Sequence, residues 1–236
     1  MAGVVVGRAR VVDLSYAIRD DLPPWPGEAK SFEARVESTV EREGYFTRSF
    51  WMREHYGTHL DAPAHFDLNG MTVEQIPVER LFGPAILFDV CEAAAKEPDY
   101  ELSAECVGHW ESAHGQIPAG SIALLRSGWS LRWPDAIRYR NEDSAGRMHF
   151  PGFSEDAARL LIDRGAFGIG VDTMSVDPGQ SEDYRVHRLT LGAGLYQIEN
   201  LADLGAVPEA GAFLVVAPLK LQGGSGGPCR VFAILP

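Results

Sequence analysis

The sequence predicts an α/β fold in a single domain covering residues 1–236, on three observations. A chain of 236 residues buries one sizeable core, and 45% hydrophobic with 23% charged residues lies in the globular range. Apolar runs at 84–90, 121–126 and 213–219 have the length of strands covered on both faces and belong together in a central sheet. Between them, 103–114 closed by Gly115 and 154–164 closed by Gly165 carry the starts and stops of helices.

Taken in order, residues 4–18 are rich in β-branched side chains and predict one or two strands ahead of the turn Pro23-Pro24-Trp25-Pro26-Gly27. Phe32, Ala34, Val36 and Val40 sit at even positions against Glu33, Arg35, Glu37 and Glu41, the alternation of a half-buried strand. A second strand over 45–53 follows Gly44, and the antiparallel pair leads into a histidine-rich segment. In the later helix Ala157, Leu160, Leu161 and Arg164 keep helical spacing behind Ser154 as N-cap, with a strand expected from Ala166. Residues 135–147 are polar and aperiodic, which predicts a loop over a site or a subunit partner. The run Gly223-Gly224-Ser225-Gly226-Gly227 lacks the Lys-Ser/Thr ending of a phosphate loop and reads as a flexible turn before a strand at 229–235.

Charge and cysteine usage narrow the partners. The net charge of −12, from 33 acidic and 21 basic side chains, repels phosphate backbones, so nucleic acid is not an expected partner. Arg132, Arg138, Arg140 and Arg147 alternate with Asp135, Glu142 and Asp143, as in a solvated loop. No stretch is long enough to cross a bilayer, and Val4-Val5-Val6 is too short for a signal-peptide core. Cys91, Cys106 and Cys229 form neither a disulfide framework nor a paired metal motif, so a cytoplasmic protein with reduced thiols is expected.

Within His55-Tyr56-Gly57-Thr58-His59-Leu60-Asp61-Ala62-Pro63-Ala64-His65, three histidines and an aspartate all occupy odd positions. On extended chain they project to one side, with Gly57 leaving a gap and Pro63 stiffening the approach to His65. Two imidazoles and a carboxylate suit Zn²⁺, Mn²⁺ or Fe²⁺ with positions left for water. A helical metalloprotease motif fails, because Tyr56 stands where its glutamate belongs. The competing reading makes these structural polar residues in a loop. His109, His114 and His149 lack ligand spacing and are read as structural or surface residues.

This segment resembles the signature of the metal-dependent cyclase superfamily, which includes bacterial kynurenine formamidase and isatin hydrolase. Trp25-Pro26-Gly27, Gly168-Ile169-Gly170-Val171-Asp172, Val176-Asp177-Pro178 and the terminal Gly-rich segment extend the likeness over nearly the whole chain. The resemblance implies a mixed, partly barrel-like sheet flanked by helices, of the swivelling β/β/α type, and a homodimer or higher homo-oligomer. It assigns His55, His59 and Asp61 to metal and His65 to acid/base work. A later histidine and a glutamate twelve residues on, matched by His187 and Glu199, complete a two-metal site. The implied cofactor is a divalent metal, Zn²⁺ or Mn²⁺, with one or two ions per subunit. Trp25 falls where the family places an aromatic contact to a small-molecule substrate, and packing on the core edge is its other reading. Phe46 and Trp51, just ahead of the metal segment, are read as strand packing, with lining of the pocket as their other reading.

A bound dication lowers the pKa of its water and polarises a carbonyl. Histidine suits the proton transfer, since its pKa lies near working pH. The expected activity is hydrolysis of a C–N amide bond in an aryl formamide such as N-formylkynurenine, hence tryptophan catabolism. Opening of an isatin-like lactam or imide is the runner-up. A metal-dependent cyclase or dehydratase of a biosynthetic pathway and a catalytically silent metal-binding protein are the readings in other classes.

Overall fold

A computed structural model describes residues 9–28 and 31–236, so the expected strand content at 4–8 lies outside the described residues. The strands are β1 Val11–Asp13, β2 Phe32–Ser38, β3 Thr47–Met52, β4 His59–Asp61, β5 Phe82–Asp89, β6 Glu101–Leu102, β7 Ile122–Arg126, β8 Gly152–Phe153, β9 Gly168–Val171, β10 Tyr196–Glu199, β11 Phe213–Pro218 and β12 Gly226–Ile234. The helices are α1 Val40–Glu43, α2 Cys91–Lys96, α3 Ala104–His114, α4 Ala136–Arg140, α5 Glu155–Asp163 and α6 Arg185–Gly192.

Strands β12-β11-β5-β7-β9-β10-β4 form a sheet that closes on itself, because the first residues of β12 pair with β4 while the rest pair with β11. The run β5-β7-β9-β10 is parallel and the other pairings are antiparallel, with β1 added outside β12. Thus the α/β class and the barrel-like mixed sheet expected from the sequence are both present. Strand alternation divides the core in two. Ala85 and Leu87 on β5, Leu124 on β7, Ile198 on β10 and Val231 on β12 fill the barrel. Ile86, Phe88, Leu125 and Ile169 point outward onto Val107 and Trp110 of α3 and Ala157 and Leu161 of α5. This two-sided burial is why those strands read as continuous apolar runs. Gly168 and Gly170 face the interior, where an added Cβ would come within 2.5 Å of the Tyr196 ring and 2.9 Å of Leu124.

The capped helices form as expected. Ser103 Oγ accepts from Cys106 N at the start of α3, and Ser154 Oγ accepts from Ala157 N at the start of α5. Two expectations change. Residues 135–147 contain α4, whose Asp135 side chain accepts from Ile137 N and Arg138 N; five helical residues are too few to show a period. Tyr139 of α4 is fully buried and Arg140 donates to Pro24 O, so this segment packs against the Trp25 turn. The pair β2–β3 is antiparallel as expected, but its strands are exposed rather than half-buried, with Phe50 62% and Trp51 51% exposed. Phe46 and Trp51 therefore do not pack within the subunit as read from the sequence. Val40 opens α1 instead of continuing the strand.

Candidate metal centre

Strand β4 turns Leu60 into the barrel core and leaves His59 and Asp61 on its outer face. Antiparallel pairing sets Glu199 directly opposite His59, so a carboxylate distant in sequence arrives beside the histidine segment. Helix α6 covers this face and brings in His187, buried like Glu199. His187 Nε2 lies 3.3 Å from Glu199 Oε1 and 3.6 Å from Asp61 Oδ2, and His59 Nε2 lies 3.2 Å from Asp61 Oδ1 and 3.4 Å from Glu199 Oε2. His55 Nδ1 is 2.6 Å from the same Asp61 Oδ1. His65, on a single 3-10 turn Pro63–His65, stacks on His55 with ring centroids 4.1 Å apart.

All six titratable residues singled out in the sequence therefore meet in one place, although extended chain accounts for only part of it. Three residues of the histidine segment are strand, and His55 and His65 reach the centre from a bend and a 3-10 turn. Gly57 acts through its backbone: its φ of +66° is left-handed, while an added Cβ would meet Leu22 only at an ordinary 3.4 Å. Trp25 lines the cavity beside the centre and also packs on the Trp129–Tyr139–Phe150 cluster, so both of its readings describe its position.

The Gly-rich segment read as a flexible turn is instead part of the centre's wall. Gly226 begins β12 against β4, where an added Cβ would stand 2.6 Å from His55 Cε1. Ser225 N and Oγ donate to Glu54 Oε2 at 2.9 and 3.0 Å, which leaves the Ser225 oxygen as acceptor for His55 Nε2 at 2.9 Å. Glu54 and Ser225 thus hold the His55 ring from its Nε2 side, while its Nδ1 faces Asp61 Oδ1. Nothing in residue type or spacing singled out Glu54, Ser225 or the cavity-lining Phe66, Met174 and Tyr184. By contrast, His149 is held by Asp99 at 2.8 Å, and His109 stands on exposed helix surface, in keeping with their structural or surface reading.

Burial and charge act against each other in this cluster. Burial lowers the affinity of His59 for a proton, but Asp61 and Glu199 overcome it and raise its pKa to about 9. Burial disfavours ionised Asp61, yet His55 and His59 hold its carboxyl well below the usual range. Glu199 is pushed up by burial and by Asp61. His65 goes the other way: desolvation, helped by the neighbouring imidazoles and opposed by Asp61, pushes it down to about 4. Although the residue is exposed, its ring is hemmed in by His55 and by Phe66 at 4.8 Å. Among the described residues, the ion-pair partners of Asp61 and Glu199 are imidazoles rather than lysine or arginine.

That donor set fits divalent metal. Ligand atoms of His59, Asp61 and Glu199 lie within 4.8 Å of one another, and so do those of His55, Asp61 and His65. The two groups share Asp61, and the mixture of imidazole nitrogen and carboxylate oxygen matches Zn²⁺ or Mn²⁺. His65, expected as acid/base, thus lies within ligand distance as well.

Comparisons with known proteins agree. The putative cyclase family matches residues 12–178. Isatin hydrolase of Roseibium aggregatum is 31% identical over 100% of this chain and 95% of its own length. Kynurenine formamidase of Bacillus cereus is 30% identical over 93% of this chain and 94% of its own. Among solved structures, isatin hydrolase A from Ralstonia solanacearum superposes with a TM-score of 0.91 at 35% identity, covering 98% of this chain and 93% of that one. A potential metal-dependent hydrolase with cyclase activity gives 0.71 at 29%, covering 95% and 96%. With its closed sheet and its histidine–carboxylate centre, the chain belongs to the cyclase family of metal-dependent hydrolases.

Proposed function

We propose that this protein hydrolyses a C–N amide bond in a small, uncharged aryl lactam or imide of the isatin class. The observation that carries this reading is the cavity of about 350 Å³ beside the metal centre. Trp25, Tyr56, Phe66 and Tyr184 offer it aromatic surface, while among the described residues neither lysine nor arginine lines it. A flat fused ring stacks on such walls. N-formylkynurenine would bring a carboxylate that finds no guanidinium or ammonium partner there, at the cost of burying an unpaired charge. The aryl formamide remains the second reading, supported by the 30% identity to kynurenine formamidase.

In this reading His55, His59 and Asp61 would hold one divalent cation, Zn²⁺ or Mn²⁺, and Asp61, His187 and Glu199 would serve a second. Bound metal lowers the pKa of water and polarises the substrate carbonyl. His65, kept neutral by its surroundings, takes the proton released as water adds to the carbonyl carbon. It returns that proton to the nitrogen as the C–N bond breaks, so the ring opens to a carboxylate and an aryl amine. Trp25 stacks on the aryl ring from the cavity wall. The test is metal analysis of purified protein followed by ultraviolet assays of isatin and N-formylkynurenine after reconstitution with Zn²⁺ or Mn²⁺. Faster isatin opening is expected; turnover of neither substrate would refute the reading.

The β2–β3 ribbon supports a homodimer. Its face carrying Phe32, Ala34, Val36, Phe50 and Met52 is apolar apart from Arg48 opposite Val36, and a bare two-stranded hairpin is marginal in water. Across residues 32–53 four arginines match four glutamates, whereas the whole chain carries −12. A second copy approaching there meets the least repulsion. A cytoplasmic setting remains part of the reading; among the described residues, no helix is long and apolar enough to cross a membrane.

A further inference from the structure

Asp177 belongs to a motif that the chemistry above leaves unused, Val176-Asp177-Pro178, and its carboxylate is 1% exposed. It stands in the loop between β9 and α6, outside the substrate cavity. One oxygen accepts from Val186 N at 2.8 Å; the other accepts from His187 N at 3.0 Å and lies 2.6 Å from His187 Nδ1. Tyr184, at the N-cap position ahead of α6, has a left-handed backbone at φ 50° and its side chain makes no cap. The carboxylate from the loop therefore caps the helix in its place and holds the first imidazole that the helix carries.

An ionised carboxylate only accepts hydrogen bonds, so the 2.6 Å contact puts the proton on His187 Nδ1. Nε2 then faces Glu199 Oε1 at 3.3 Å and Asp61 Oδ2 at 3.6 Å. A cation relieves the repulsion between these acceptors, a proton on Nε2 when no metal is bound and the metal when it is.

We propose that Asp177 is the positioning residue that fixes His187 in its Nδ1–H form, and thereby makes the position of the second cation between His187, Asp61 and Glu199. This rests on the two-cation reading of the centre. Asparagine at 177 has nearly the same shape and still accepts from a helix N–H. It removes the negative charge that makes His187 Nε2 a stronger donor to metal, and whichever way it is turned its NH₂ meets one helix N–H, that of Val186 or of His187. Side-chain shape is thus separable from the charge behind His187, and the Tm reports any loss of capping.

The experiment is competition of Zn²⁺ between the whole protein and a chromophoric chelator, with Tm recorded alongside. The parent should bind two equivalents. Asp177→Asn should weaken one equivalent about 10- to 100-fold and leave the other within about twofold. Asp177→Glu, which keeps the carboxylate, should recover most of the lost affinity. In Zn²⁺-loaded parent, ¹⁵N spectra of the imidazoles should show His187 protonated at Nδ1. A single equivalent in the parent would sink the two-cation reading and this proposal with it. Two equivalents of parental affinity in Asp177→Asn would sink this proposal alone, as would equal weakening of both equivalents with a lowered Tm, the mark of a merely structural residue.

Discussion

Replacing Gly226 by alanine tests whether the seam between β12 and β4 sets the metal centre. The new Cβ would lie 2.6 Å from His55 Cε1, 3.0 Å from His55 Nδ1 and 2.8 Å from the Leu60 carbonyl oxygen, where ordinary contact begins at 3.4 Å. The Leu60 oxygen is backbone in the middle of β4, so relief there needs the strands to part by roughly 0.6 Å, and relief at His55 needs its ring to move by roughly 0.8 Å. Parting of that size stretches the Ala62 N to Ser225 O bond from 2.9 Å to the edge of hydrogen bonding. Overpacking of this kind costs about 1–3 kcal/mol. A displaced ligand ring weakens metal binding about 10- to 100-fold, and a misplacement near 1 Å lowers turnover about 100-fold. Chelator competition, urea denaturation and steady-state assay of Gly226→Ala measure the three effects. Parental metal affinity and turnover together would refute the claim that this close approach positions His55.

Three further substitutions address separate steps. His65→Ala should keep its metal while turnover falls about 10²- to 10⁴-fold; a parental rate would remove His65 from proton transfer. Glu111 joins α3 to α5 through two bonds to Arg164, at 2.7 and 2.8 Å, and that partner brings its pKa from 4.5 down to about 2. Because the folded-state value is depressed, the stabilisation is complete above the unfolded value near 4.5 and vanishes as pH falls through about 2. Urea titrations should show Glu111→Gln less stable by about 1 kcal/mol at pH 7, a difference closing below pH 4.5; a gap independent of pH would contradict the ion-pair account. Phe50→Asp, on the apolar face of the ribbon, should shift the protein from dimer to monomer by light scattering without loss of its helical signal, and an unchanged mass would place the interface elsewhere.

The parts of this molecule legible in its sequence are those where one residue's environment is set by its neighbours along the chain. The parallel strands announced themselves because both faces of β5 and β7 are covered, and Ser103 and Ser154 marked helix starts that local hydrogen bonds confirm. The crowding of His55, His59, Asp61 and His65 pointed to a metal for the same reason. What stayed hidden depends on distant pairing. Glu199 becomes a candidate ligand only through its register with His59, and Ser225 and Gly226 only because β12 closes the sheet onto β4. A glycine-rich stretch looks the same in sequence whether it is loose or pressed against another backbone. The exposed ribbon misled for a related reason: alternation marks an apolar face on β2 but does not show what lies against it.

The division of labour around the centre bears on why relatives of similar identity carry the names of different hydrolases. Of the candidate ligands, His59, Asp61 and Glu199 come from β4 and β10, locked by backbone pairing in the closed sheet, His187 from α6 and His55 from the bend before β4. Apart from Tyr56 beside His55, the apolar walls come from elsewhere: Trp25 from the turn after β1, Phe66 from the end of the 3-10 turn, and Met174 and Tyr184 from the connection between β9 and α6. Loops tolerate substitution and insertion that a closed sheet does not. Metal-assisted attack on a carbonyl can thus be retained while the group attached to that carbonyl changes, so the centre specifies the reaction class and the walls specify the substrate. For this chain the walls are aromatic and, among the described residues, without cationic side chains, which favours an uncharged ring over an amino-acid formamide even though the same six residues could serve both.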